Sequence, residues 1–429
     1  MAQEHRLVIL GGGAAGLDLA TRLSRKHVPG LAITLVDRAS SHVWKPRLHQ
    51  VAAGTLDTAQ EEVTYLDHAA RHGMAYRPGI LRGLDRTARQ VRIGTLQDAE
   101  GRDEATAILP YDTLVLAIGS HADDFGTPGV REHCDFIDSR DQAEAFRAKL
   151  RRAVIRCLDD PAAPELSIVI VGGGATGTEL AAELHQALDL ASGYGLPGLR
   201  QRLRVTLVEM APRILGALPE KVSNAATAVL RELGVAVLTG AAVASVDAGG
   251  VVLKDGRRIP AEIRVWAAGI RAPEVTRALD GLETDRAGRI RVDESMVTLT
   301  DPAILALGDC CALVPAGEER PLPATAQVAH QQARHLARHL PDRIRGGGPM
   351  PPFRYVQRGA LVSLGDYDAF GSLGRLGVLR GAFIEGWVAR LSYALLYRQF
   401  QLVVHGMRAP LVWAAGALRR LARPSVRVD

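Results

Sequence analysis

The sequence predicts an α/β protein with two doubly wound halves, and three observations carry that prediction. Near the start, an apolar run, a glycine-rich turn, an Ala/Leu-rich stretch and a second apolar run ending in an acid follow one another. The same order recurs in the middle of the chain. Three further apolar runs, one between the copies and two after the second, each stop at glycine or at glycine followed by an acid. Continuous apolar runs of this length, bounded by turn residues, are what strands buried on both faces of a parallel sheet require.

Element by element, the first copy opens with Arg6–Leu10 as a strand and turns at Gly11-Gly12-Gly13-Ala14-Ala15-Gly16. Leu17 to Leu23 then reads as a helix, and Ala32 to Asp37 as a strand closed by its acid. Asp112 to Gly119 is a buried strand stopped by glycine, and Asp159 to Pro164 a loop. Ser167–Val171 leads the second copy into Gly172-Gly173-Gly174-Ala175-Thr176-Gly177, the helical Glu179–Leu190, a Gly/Pro insertion over Ser192–Gly198, and Val205–Glu209. Arg264–Gly269 echoes the run ending at Gly119, and Ala303–Asp309 ends in an acid. Gly346–Pro352 reads as a linker before a basic tail.

At 429 residues the chain is too long for one core and suggests two or three domains. With 47% hydrophobic and 23% charged residues it is neither disordered nor collagenous nor a coiled coil. Four cysteines make no disulfide framework, and Met1 to Arg6 shows no signal-peptide layout, so a reducing compartment is expected. The net charge of +5 is uneven: Leu373–Asp429 holds nine Arg against Glu385 and Asp429, a net of +7, which leaves the body mildly acidic. That distribution argues against nucleic acid and for a local contact with an anionic membrane surface.

The glycines of a Gly-x-Gly-x-x-Gly turn allow, in order, a tight turn, room for a pyrophosphate, and close helix–strand packing. The helix N-terminus behind it offers N–H groups and a positive dipole end. Asp37 and Glu209 are placed for ribose hydroxyls, and Glu209 disfavours a 2′-phosphate, so NADH is preferred over NADPH. Arg213, a few residues on, leaves some opening for a phosphate. One such unit makes a dehydrogenase; two make a flavoprotein that also takes a pyridine nucleotide. The first copy, Gly11, Gly13, Ala14, Ala15, Gly16 and Asp37, is assigned to FAD. The second, Gly172, Gly174, Gly177 and Glu209, is assigned to NADH, which passes hydride to the flavin. No metal is called for. Cys134, Cys157, Cys310 and Cys311 form no Cys-x-x-Cys or Cys-x4-Cys pair, and a bond between neighbours would be strained, so disulfide reduction is not expected.

The chain resembles the type II NADH dehydrogenases, single-subunit NADH:quinone oxidoreductases, over essentially its whole length. The resemblance rests on both glycine turns, Pro46–Gly54, Gly172–Ala181, Trp266–Ile270 and Gly308-Asp309-Cys310. It rests also on Pro352-Phe353-Arg354-Tyr355 with Arg358-Gly359, and above all on Pro323-Ala324-Thr325-Ala326-Gln327-Val328-Ala329-His330-Gln331-Gln332-Ala333. It implies a glutathione-reductase-like arrangement of two Rossmann-like domains with an amphipathic, membrane-associating C-terminal region. Gln327 and Gln331, four apart and so on one helix face, would lie by flavin and quinone and donate to a quinone oxygen. Glu179, in a first helical turn where the dipole favours an acid, would serve nucleotide–flavin coupling or quinone protonation. Asp309 would bond the ribityl chain of FAD, and Gly119 and Gly269 would let backbone approach the nucleotides. Arg358 stands where family members commonly carry Lys; it would be a fixed donor, since Arg does not lend a proton near neutral pH.

The expected organisation is 1–120 and 286–345 for FAD, 121–285 for NADH, and 346–429 for membrane anchoring or dimerisation. No apolar run reaches the roughly 18 residues a span requires. Trp387, Arg390, Arg398 and Gln401 should share one helix face against Leu391, Leu395, Leu396, Phe400 and Leu402, with Arg419, Arg420 and Arg423 beyond. The expectation is a homodimer held peripherally at the cytoplasmic face of the cell membrane, reducing a membrane quinone without pumping protons. Two alternatives stay open: a sulfide:quinone-type enzyme, which needs redox cysteines at the flavin, and an NADH sensor or soluble reductase with a protein acceptor.

Overall fold

The computed structural model describes residues 4–56, 62–94, 106–160, 164–193, 199–373, 383–406, 409–410 and 413–414. The chain forms two compact units, Met1–Trp44, Glu62–His121 and Ile270–Val356 in one, Lys45–Glu61, Ala122–Gly269 and Gln357–Asp429 in the other. These cuts fall elsewhere than 1–120, 121–285, 286–345 and 346–429. Residues 45–56 belong with the second unit because the short helix Leu48–Ala53 packs on the helices Arg140–Asp159 and Ala175–Gly193. Its Leu48, Val51, Ala52 and Ala53 are buried.

In the first unit, five parallel strands lie in the order Ile304–Ala306, Thr113–Leu116, His5–Leu10, Leu31–Asp37 and Ala75–Pro78. Leu7, Ile9, Leu35, Leu114 and Leu305 are fully buried in it. The helices Ala14–Arg25 and Ala326–Ile344 pack on each other. Thr325 caps the second of these, its side chain accepting from the Val328 N–H, which satisfies one of the orphan donors of the first turn. A three-stranded antiparallel sheet, Ile80–Asp85, Gln90–Gly94 and Thr106–Pro110, completes the larger elements.

The second unit repeats the parallel plan with Ala236–Leu238, Leu203–Val208, Leu166–Val171 and Ile263–Trp266. An antiparallel sheet of Val243–Asp247, Gly250–Leu253 and Arg258–Pro260 adds Val246, Val251 and Leu253 to a cluster with Val169, Val208 and Trp266. A further antiparallel sheet, Gly359–Leu364, Asp368–Leu373 and Phe383–Glu385, is covered by the helix Gly386–His405. In that helix Gln401 departs from the face expected from the sequence. Gln401 is buried with Ala389, Tyr397 and Val404, whereas Trp387, Leu391, Leu395 and Leu402 point outward. The sheet, invisible to helical periodicity, decides which side is inside. Arg398 lies over the Trp413 ring, 4.7 Å from its centroid. The side chains of Arg390, Leu396 and Phe400, and residues Arg419, Arg420 and Arg423, lie outside the described residues. Among the described residues no helix is long and apolar enough to cross a membrane.

Candidate active site

The two glycine turns are built alike. Gly11 has φ +101° and Gly172 φ +112°, the left-handed region that favours glycine. A Cβ on Gly11 would sit 2.3 Å from the Ala117 oxygen, and one on Gly172 2.7 Å from that of Ala267. Gly16 and Gly177 are as constrained, since a Cβ would come within 1.9 Å and 2.0 Å of the carbonyl oxygens of Gly11 and Gly172. The middle glycines differ. Gly13 has an extended backbone open to any residue, and a Cβ on Gly13 or on Gly174 would meet no atom of the chain within 4 Å. The protein itself needs no glycine at either place. A dinucleotide pyrophosphate resting on the helix N-terminus does, so the residues present fit FAD in one unit and NADH in the other.

The acids close each turn identically. Asp37 accepts from the Gly12 N–H at 2.6 Å and from Ala39 at 2.8 Å. Glu209 accepts from Gly173 at 2.6 Å and from Ala211 at 2.7 Å. Burial pushes the Asp37 carboxyl up, against the pull of its backbone donors. Arg213 donates to the carbonyl oxygens of Leu215, Gly216 and Leu218 and so ties down its own loop.

In the first unit Asp309 accepts from the Ser120 hydroxyl at 2.7 Å, next to Gly119 at φ +70°. The turn before it is fixed by a residue that sequence reasoning passes over: Gln332, 1% exposed, accepts the Gly308 N–H at 2.7 Å. A third glutamine in that run is the available signal, since it falls on the inner face of the helix. Gln331 pairs both ways with the Val356 backbone, at 2.8 and 3.0 Å, and Gln327 accepts from the Tyr355 hydroxyl at 3.1 Å. Between them His330 Nδ1 lies 2.8 Å from Asp18, a fully buried carboxylate that also binds Arg22. All four cysteines are free thiols, and burial pushes Cys134 and Cys310 up to about 12, as suits packing residues rather than redox ones.

In the second unit Gly269 has φ +66°, and a Cβ there would strike the Phe125 ring at 2.2 Å. Glu179 is 5% exposed. One oxygen accepts from the Ser363 N–H at 3.1 Å and the other lies 3.4 Å from His49 Nδ1. Burial, with Glu183 adding to it, pushes Glu179 up to about 8. Burial and Arg47 push His49 down to about 3. Glu183 is not among the residues expected from the sequence, although an acid four residues after Glu179, in the apolar stretch Leu180–Leu184, is visible there. Arg358 is exposed and precedes the strand that carries Ser363. The structure thus gathers Gly11–Gly16, Asp37, Gly119 and Asp309 in one unit with Gln327 and Gln331, and Gly172–Gly177, Glu209, Gly269, Glu179 and Arg358 in the other.

Residues 5–333 match the family model described as pyridine nucleotide-disulphide oxidoreductase. A type II NADH:quinone oxidoreductase of Haemophilus influenzae is 36% identical, with 98% of this chain and 99% of the relative aligned. One from Staphylococcus aureus is 32% identical over 86% of this chain and 90% of that protein. The solved structure of NDH2 from Plasmodium falciparum in complex with NADH superposes with a TM-score of 0.83 at 17% identity, covering 99% of this chain and 100% of that one, a likeness of fold.

Proposed function

Because this chain belongs to the type II NADH:quinone oxidoreductases, within the pyridine nucleotide-disulphide oxidoreductase family, we propose that it transfers electrons from NADH to a quinone without pumping protons. The observation that carries this is the doubled glycine turn whose middle glycine opens onto empty space, closed each time by a strand-end acid. FAD, when bound, would supply the hydride-accepting and electron-donating chemistry that links NADH to the quinone. The protein's own part is to bind, orient and supply a proton. Gly11–Gly16 with Asp37, Gly119 and Asp309 would hold FAD. Gly172–Gly177 with Glu209 and Gly269 would hold NADH. A carboxylate at Glu209 and an Arg213 spent on its own loop both favour NADH over NADPH.

The reaction NADH + H⁺ + quinone → NAD⁺ + quinol draws one proton from solution. Glu179 is our candidate donor, buried and protonated near neutral pH. Gln327 and Gln331 would polarise the quinone oxygens, each carboxamide held by the segment around Tyr355–Val356. Arg358 would add a fixed positive donor. The test is anaerobic. NADH should bleach the yellow protein, and a short-chain quinone should restore its colour rapidly. Bleaching without recovery would sink the quinone reading in favour of a protein acceptor or a sensor.

We further propose that the enzyme is a homodimer lying peripherally on the cytoplasmic face of the membrane. Trp387 is 75% exposed and Leu391 and Leu395 about half, at four-residue spacing on one helix. An outward apolar stripe with Trp at its end suits an interfacial helix, which would place the quinone site near its lipid-soluble substrate. Co-sedimentation with vesicles containing anionic lipid should fall at least about tenfold in a Leu391→Glu, Leu395→Glu variant, with turnover of a soluble quinone unchanged. Unchanged sedimentation together with loss of the dimer would assign the stripe to a second copy instead.

A further inference from the structure

The helix Ala175–Gly193 carries a second buried carboxyl, Glu183, only 1% exposed, one turn beyond Glu179. At this spacing the two acids share a face, with Cβ atoms about 6 Å apart. Their hydrogen bonds are unequal. Glu183 accepts from Gln50 Nε2 at 3.0 Å and from the Thr55 hydroxyl at 2.5 Å, whereas Glu179 accepts only the Ser363 N–H among the hydrogen bonds seen. Donors of this kind stabilise the charged form of the group they reach.

The charges around the pair are also unequal. Burial pushes the Glu183 carboxyl up, opposed by its Thr55 and Gln50 donors and by Arg47, which comes from the segment before the helix Leu48–Ala53, donates to Gln50 and rests over the Tyr397 ring. From that helix itself comes His49, 2% exposed, with its Nε2 buried and unbonded among the described residues; it is neutral near pH 7 and supplies no countercharge. The turn after Ser363 brings Asp366, which opposes ionisation of Glu183. The helix Gly386–His405 brings Tyr393, also neutral. Among the described residues one guanidinium therefore faces two buried carboxyls, and two adjacent acids cannot both ionise cheaply in such surroundings. Donor geometry assigns the charge to Glu183 and the proton to Glu179.

We propose that Glu183 is a positioning residue for quinone reduction: as the charged member of a buried carboxyl pair, it keeps on Glu179 the proton that the reduced quinone takes up. The inference rests on the quinone reading above. In the balanced step, Glu179 gives its proton to a quinone oxygen as two electrons arrive, becomes a carboxylate and regains a proton from water. The second proton equivalent arrives with the hydride of NADH.

The experiment uses the flavin-loaded enzyme, reduced anaerobically with NADH and mixed with a short-chain quinone from about pH 6 to about pH 10. In the native protein, reoxidation should slow above about pH 8, where Glu179 loses its proton. Glu183→Gln removes the like charge and keeps the shape. It should move that limb down by about one pH unit, a rate about tenfold below native at pH 8 to 9, and leave bleaching by NADH unchanged. Infrared difference spectra should show the protonated carboxyl of Glu179 persisting to correspondingly lower pH. Thr55→Val weakens ionisation of Glu183 without touching either acid. It should shift the limb the same way by less, and it serves as the readout if the Gln variant loses its flavin. A limb and an infrared titration that coincide with native in the folded variants overturn the proposal. Native enzyme that is bleached by NADH but never reoxidised by quinone instead overturns the underlying reading.

Discussion

Replacing Gly13 with valine is expected to give a folded, colourless protein. The backbone at Gly13 is extended and negative in φ, and a Cβ there meets nothing within 4 Å, so the chain has room for a β-carbon. The cost is that of a poorer N-cap, on the order of 1 kcal/mol. What the valine fills is the space above the first helical turn, where free N–H groups meet an anion. The purified variant should carry less than about a tenth of the native flavin per protein, while melting within a few degrees of native apoprotein. Gly16→Val supplies the contrast. Its Cβ would lie 1.9 Å from the Gly11 oxygen, so this variant should fail to fold. Full flavin content in Gly13→Val would remove the first turn from the cofactor site. The contrast tests the separate jobs expected of the two glycines, room for the pyrophosphate at Gly13 and close packing at Gly16.

Much of the frame was legible because parallel strands covered on both faces are written as unbroken apolar runs. His5–Leu10, Leu166–Val171 and Thr113–Leu116 stand within a residue or two of where those runs lie. The antiparallel sheets were not legible. Their strands are short and half-exposed, and Gly359–Leu364 or Val243–Asp247 carry no comparable signal. Nor does anything local in Leu48–Ala53 say that it packs on helices far along the chain. The tail helix shows the limit of periodicity most clearly: the 3.6 period was readable, but the sheet that buries Gln401 was not. In the site, the turns and their acids were readable from spacing. Gln332 was not separable from Gln331, since its partner Gly308 lies 24 residues upstream, and only the folded helix puts one glutamine inside.

Glu179→Gln should split the two half-reactions. Glutamine keeps the acceptor for the Ser363 N–H and nearly the same volume, but it has no proton to give. Bleaching by NADH should stay within about twofold of native, whereas reoxidation by quinone should slow about a hundredfold and lose its limb near pH 8. Slowed bleaching with normal reoxidation would assign the residue to nucleotide–flavin coupling instead. Stability supplies an independent readout. Folding raises the Glu179 carboxyl from about 4.5 to about 8, so the folded state holds a proton that the unfolded chain has lost. Stability from this group is therefore intact below about pH 4.5 and falls as pH rises toward about 8. At neutral pH the cost is on the order of 3 kcal/mol, and the glutamine variant escapes it. The variant should accordingly melt higher than native at pH 7 and equally at pH 4. A residue that lowers both turnover and its own structural cost when neutralised is retained for its proton, whereas one kept for packing would lose stability on the same change.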